Sequence, residues 1–183
     1  MTRREILKLL FVGTVAPTSL LAPFDREAKA ASLRSLCSGK LSFRNIHTNE
    51  ALEIRYLNRR GGFDPKALAK LNHLFRCHFN GRAHRINPDL FLLLDAVRSQ
   101  LKVRERPYLL ISGYRSPRYN MLLRRRGHGV ARNSYHIKGM AADVSIDGVP
   151  LADIRQAATC LEIGGVGYYA DFVHLDVGPV RYW

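Results

Sequence analysis

Apolar and polar positions recur along this chain with two periods, one of two residues and one near 3.6, and the switches between them outline a mixed domain. Lys40 to His47 and Leu52 to Leu57 read as two short strands, with Thr48-Asn49-Glu50 as the turn between them. After the turn Arg59-Arg60-Gly61-Gly62, Asp64-Pro65 pairs a capping side chain with a first-turn proline, and Leu68, Leu71, Leu74 and Phe75 follow at helical spacing. Asn87-Pro88 repeats the device ahead of Phe91, Leu94, Val97 and Leu101, which fall on one side of a second helix. Tyr108 to Ile111 is a short strand, and Ser116-Pro117 opens a helix that ends in Arg124-Arg125-Arg126-Gly127. A strand over Ala141 to Ile146 leads through Asp147-Gly148 into a helix over Leu151 to Leu161. Gly164 to Tyr169 and Phe172 to Val177 close the pattern as a hairpin turning at Ala170-Asp171. The pattern predicts one α+β domain, a small antiparallel sheet that carries the site on one face and packs helices on the other.

Residues 1–30 stand outside that pattern. Thr2-Arg3-Arg4-Glu5-Ile6-Leu7-Lys8 is a twin-arginine pattern, the run from Leu9 to Pro23 is mildly apolar, and Ala28-Lys29-Ala30 is an A-x-A cleavage site. Thr14, Pro17, Thr18 and Ser19 interrupt the run short of the ~20 apolar residues that span a bilayer. The expectation is a twin-arginine signal peptide over 1–30, a domain over 31–183 exported already folded to the periplasm, and no stable membrane insertion. The rest of the 183-residue chain has the length of one domain, expected to be a monomer.

Charge narrows the partner. The net charge is +14, of which the leader's five basic and three acidic residues account for only two, leaving +12. Such an excess attracts a polyanion. No RNA-binding aromatic motif or recognition pattern accompanies it, so a carboxylate-rich cell wall or an anionic lipid surface fits better than nucleic acid, with a merely solvated basic face as the plain alternative. Cys37, Cys77 and Cys160 are odd in number, allow at most one intramolecular pair and contain no C-x-x-C, so buried free thiols are expected.

The chemistry concentrates in two stretches. In Ser134-Tyr-His-Ile-Lys-Gly-Met-Ala-Ala-Asp143, Gly139 lets the chain bend after His136 and enter the strand that presents Asp143. In Asp171-Phe-Val-His-Leu-Asp176, His174 and Asp176 share one face of an extended strand. His136, Asp143 and His174 thus form a set of two histidines and one carboxylate, which suits one zinc ion and leaves a position open for water. Asp171, close to His174 without being a necessary ligand, is the candidate general acid/base. Arg115, held in the turn between a strand and a helix N-terminus, is the candidate to stabilise an oxyanion or hold a substrate carboxylate. Asp176 is placed to orient a ligand histidine. The plain alternatives are an arginine satisfying backbone carbonyls, a strand aspartate facing water, and core or surface histidines; for His47, His73, His78 and His84 that structural reading is the better one. His128, between Gly127 and Gly129 just before the site, is a candidate substrate contact.

Ser112-Gly-Tyr-Arg-Ser-Pro117, Ser134-x-His136-x-x-Gly139-x-Ala141-x-Asp143, Gly164-Gly-Val-Gly-Tyr-Tyr169 and Phe172-Val-His-Leu-Asp176 together resemble the signature of the MepK-type murein endopeptidases, zinc enzymes similar to the D-alanyl-D-alanine peptidases. The likeness runs from Leu36 to Trp183 and takes in Asn45-x-His47-Thr48 and the Gly-Pro-x-Arg-Tyr-Trp ending, although the link from Tyr169 to Asp171 is shorter than the family pattern. The resemblance implies zinc at His136, Asp143 and His174, an acid/base at Asp171 and a stabilising arginine at Arg115. It further implies cleavage of peptide cross-links in peptidoglycan, on a fold like the sheet shared by hedgehog signalling domains and lysostaphin-type peptidases. The rivals are a zinc-containing wall-binding module that hydrolyses nothing, a D,D-carboxypeptidase or dipeptidase of the same fold, and a basic protein binding anionic lipid.

Overall fold

The structure, a computed structural model, describes residues 31–127 and 129–183. The expected leader over 1–30 and the candidate contact His128 lie outside the described residues. Helix α1 is described over residues 31–36, and strands β1 (Lys40–Asn45) and β2 (Ala51–Arg55) form an antiparallel hairpin. Helices α2 (Pro65–Leu74) and α3 (Pro88–Gln100) follow, then β3 (Tyr108–Ser112), α4 (Pro117–Arg125), β4 (Ala141–Ile146), α5 (Leu151–Cys160), β5 (Gly165–Tyr168), β6 (Val173–Asp176) and β7 (Arg181–Tyr182). The proline-marked starts behave as their chemistry requires. Asp64 accepts from the N–H groups of Lys66 and Ala67, Asn87 from Asp89 and Ser116 from Tyr119, each satisfying donors that a helix's first turn leaves unpaired.

The sheet corrects the expectation of a small antiparallel one. It has seven strands in the order β2-β1-β3-β4-β6-β5-β7, and the β1–β3 and β5–β7 pairs are parallel. The segment from β2 through α3 makes the crossover that brings β3 beside β1 in parallel, while β7 is a two-residue strand of the C-terminal tail laid along β5. Helix α3 also departs from the one-sided stripe: every residue from Leu90 to Arg98 is buried. Asp95 can be buried there because it accepts hydrogen bonds from Ser38 Oγ, Gly39 N and Tyr56 Oη at 2.8–3.0 Å.

Strand parity separates core from site. Leu41 and Phe43 of β1, Tyr108 and Leu110 of β3, Ala142, Val144 and Ile146 of β4, and Val173 and Leu175 of β6 join the helices in one apolar cluster. The alternate positions Asp143, His174 and Asp176 therefore point to the opposite face. Among the described residues no helix is long and apolar enough to cross a membrane. All three cysteines are free, but only Cys77 is buried; Cys37 is half-buried, with burial pushing its thiol up to about 11, and Cys160 is exposed.

Candidate metal centre and active site

Local backbone geometry sets each of the three candidate ligands. Residues 134–139 form a turn in which Met140 N donates to Tyr135 O and Gly139 N to His136 O. Gly139 has φ +65°, and a Cβ there would lie 2.5 Å from the carbonyl oxygen of Arg85, so the position excludes other residues on two counts. The turn drops His136 over the sheet, and β4 starts two residues beyond Gly139 with Asp143 on the site face. Asp143 and His174 are register partners across the β4–β6 pair, which sets their side chains next to each other.

The three side chains converge as the sequence predicts. His136 Nε2 lies 3.1 Å and His174 Nδ1 2.8 Å from Asp143 Oδ1, and the two nitrogens are 3.1 Å apart. The outer ring nitrogens assign the tautomers. His136 Nδ1 donates to the Gly113 carbonyl at 2.7 Å and His174 Nε2 to Asp176 Oδ2 at 2.9 Å, so in the neutral rings both inner nitrogens carry lone pairs. Three acceptors facing one another repel unless a positive charge lies between them, and a proton or a divalent cation supplies it. Tetrahedral zinc with contacts near 2.05 Å needs its ligand atoms about 3.3 Å apart, so the set fits such an ion after an outward shift of a few tenths of an ångström.

Charged neighbours fix this cluster. Arg115 donates through Nη2 to Asp143 Oδ2 and through Nε to Ser112 Oγ at 3.0 Å, and its own backbone N–H donates to His136 O. Asp176 receives Arg181 through both Nη atoms, at 2.6 and 3.2 Å, together with the backbone N–H groups of Gly165 and Gly178. Burial opposes ionisation of Asp143, but His136, His174 and Arg115 overcome it and hold the carboxyl far below the usual carboxylate range. Burial likewise opposes a charged Asp176, and His174, Arg181 and Gly178 outweigh it in the same sense. Burial keeps the His136 ring below the ordinary histidine value despite Asp143 beside it. For His174 burial acts the same way, yet the hydrogen bonds to Asp143 and Asp176 prevail and raise it.

The three side chains stand in a cavity of about 390 Å³ whose wall includes Arg115, Val130, Tyr135, Phe172, Arg181 and Trp183. Asp171 is exposed in the β5–β6 turn and is not among the residues lining the cavity, although its neighbours Tyr169 and Phe172 are. His47 and His78 stack on each other at 3.8 Å and His84 stacks on Tyr114, and none of the three lines the cavity. Tyr135, Arg181 and Trp183 also line the cavity, without a motif that assigns them a role from sequence. Gly167 carried the missed signal: a glycine inside a strand marks a close approach, and here a Cβ would meet the Trp183 ring at 2.6 Å. Trp183 is thereby seated with its ring centroid 5.3 Å from that of His174 while Nε1 donates to Tyr169 Oη.

Residues 34–183 match the family model described as peptidoglycan L,D-endopeptidase MepK. The chain is 42% identical over 178 residues to the peptidoglycan L,D-endopeptidase MepK of Escherichia coli strain K12, covering 96% of this chain and 95% of that protein. It is 43% identical over 145 residues to the probable peptidoglycan L,D-endopeptidase MepK of Haemophilus influenzae, covering 78% of this chain and 77% of the relative. Among solved structures it is similar to the L-Ala D-Glu endopeptidase ChiX of Serratia marcescens, with a TM-score of 0.35 and 20% identity over 52% of this chain and 68% of that one.

Proposed function

The chain belongs to the peptidoglycan L,D-endopeptidase MepK family, and from that premise we propose that it hydrolyses peptide cross-links between stem peptides of the cell wall with one zinc ion held by His136, Asp143 and His174. The observation that carries this reading is the convergence of three lone-pair atoms within 3.1 Å of one another, each locked by an outer partner. When bound there, zinc lowers the pKa of water from about 15.7 to around 7 and polarises a peptide carbonyl.

The remaining work falls to side chains. Arg115 holds Oδ2 of Asp143 so that Oδ1 stays turned to the imidazoles, and its other N–H groups are the donors for the oxyanion developing on the scissile carbonyl. Asp171 takes a proton from the attacking water as the O–C bond forms and passes it to the leaving nitrogen as the C–N bond breaks. For that its carboxyl must turn inward beside Phe172. Tyr169, Phe172 and Trp183 supply apolar surface for the aliphatic arm of a diamino acid. The L,D description of the family favours a bond between an L-centre carbonyl and a D-centre amine, as between two diaminopimelates, over one from D-alanine. The wall substrate calls for action in the periplasm, and the Arg3-Arg4 pattern ahead of Ala28-Lys29-Ala30 supports twin-arginine export.

One observation favours a second reading, a module that binds the wall without cutting it: Asp171 stands outside the cavity lining. Digestion of purified sacculi followed by muropeptide analysis separates the two. The peptidase predicts that cross-linked dimers decline with the zinc-loaded protein and persist after chelation or with His174→Ala. Dimers that persist with zinc bound establish the module.

A further inference from the structure

Charge is distributed unevenly over the domain. Between Glu105 and Asp143 the chain has eight basic residues and no acidic one, which places two thirds of the +12 carried by residues 31–183 in a single stretch. Helix α4 forms the centre of it. Among its nine residues only Asn120 is buried, its Nδ2 donating to Ala131 O, and Met121 on the outer side is 46% exposed. Arg118, Arg124, Arg125, Arg126 and Arg132 are exposed, and among the described residues none makes a side-chain hydrogen bond or ion pair. Arg118 and Arg125 lie seven positions apart, about 10 Å along one helix face.

A helix C-terminus gains from one or two cations in its last turn, which accounts for Arg124 and Arg125 but not for Arg118, Arg126 or Arg132. The ridge also leads somewhere: Gly129, Val130, Ala131 and Asn133, which flank Arg132 in the chain, line the metal-centre cavity. Arg132 sits between the lining residues Ala131 and Asn133, and unpaired guanidinium groups near a cleft raise the local concentration of an anionic substrate there.

We propose that the ridge formed by Arg118, Arg124, Arg125, Arg126 and Arg132 is a docking surface for the stem-peptide carboxylates of peptidoglycan, holding the polymer beside the site that cuts it. This rests on the wall substrate proposed above, and the test separates the two. Zinc-loaded wild type and a variant carrying Arg124→Gln, Arg125→Gln and Arg126→Gln are co-sedimented with purified sacculi on ice across a salt series and assayed on a soluble cross-linked muropeptide dimer. A variant with Arg59→Gln, Arg60→Gln and Lys66→Gln removes the same charge elsewhere. Three exposed contacts of ordinary strength change a binding constant by about 3- to 100-fold together, so a loss of about tenfold is expected at low salt for the ridge variant alone. The difference should vanish near 1 M salt, where the Debye length is about 3 Å, while kcat on saturating soluble dimer stays at the wild-type value. Equal losses in both variants, or none in the ridge variant, overturn the proposal. So does a ridge variant that loses binding to anionic phospholipid vesicles but not to sacculi. If wild type leaves the soluble dimer intact while sacculus binding still follows the ridge, the peptidase reading fails and the docking surface stands; the fluorescence of Trp183 on zinc addition then certifies the fold.

Discussion

Replacing Asp176 with asparagine tests the proposed metal centre through a residue outside its proposed ligand set. Oδ2 of Asp176 accepts from His174 Nε2 and Arg181 Nη2, and Oδ1 from Gly165 N, Gly178 N and Arg181 Nη1. Every one of these partners is a donor. An asparagine amide must therefore point its NH2 at donors whichever way it is turned. With the amide oxygen left on the glycine N–H groups, the least disruptive relief is for His174 to accept at Nε2 and carry its proton on Nδ1, the atom that faces Asp143 and His136. That removes the lone pair from the metal side. Loss of an outer partner of this kind weakens metal binding by 10- to 100-fold, about 1.4–2.7 kcal/mol, similar to one charge-assisted hydrogen bond. The assay is a zinc titration of Asp176→Asn and wild type against a competing chelator, read by the fluorescence of Trp183, the only tryptophan in the chain and a neighbour of His174. A folded variant that binds zinc within twofold of wild type refutes the assignment of His174 as an Nδ1 ligand oriented by Asp176.

Two further predictions concern the scaffold. Gly139→Ala forces a side chain into the left-handed region and against the Arg85 carbonyl, so thermal or urea unfolding should show a loss of about 2–4 kcal/mol, with weaker zinc binding because the turn carries His136. His78 is pushed down from 6.5 to about 4 by burial, with His47 and Arg115 adding to it, so the unfolded chain takes up a proton between those values that the folded one refuses. Stability then falls as pH drops from 6.5 towards 4. The full shift corresponds to ~3.4 kcal/mol, which the half-exposed position screens to about 1 kcal/mol, and urea unfolding at pH 7 and 4.5 should show wild type losing that much more than His78→Gln.

What could be read from the sequence followed the strength of local signals. The helix starts at Asp64-Pro65, Asn87-Pro88 and Ser116-Pro117 were legible because cap and proline chemistry act within three residues, and the strand Ala141–Ile146 was found with its exact bounds. The convergence of His136, Asp143 and His174 was legible because a glycine turn and a strand face constrain where each can point. Parallel pairing of β1 with β3 was not, since it is decided by a crossover spanning two helices, and β7 is too short to show any period. The all-round burial of α3 was hidden by Asp95 and Arg98, whose polar character breaks the apolar pattern even though both are buried. The Trp183 wall needed knowledge of which strand the tail would lie beside.

Core packing and site assembly are one decision in this fold. If β6 slid by a single residue against β4, Val173 and Leu175 would leave the apolar cluster and His174 and Asp176 would enter it. Withdrawing two fully buried aliphatic side chains costs about 3–6 kcal/mol, and burying a carboxylate stripped of its five donors adds several more. A sum of that size compares with the whole stability of an ordinary domain, so the register is set by the apolar face whether or not a metal is bound. The polar face inherits it: Asp143 meets His174 because Val144 and Val173 pair in the core, and Asp176 backs His174 because a strand repeats every two residues. His136 alone comes from a loop, and there Gly139 and the Gly113 carbonyl supply what strand register cannot.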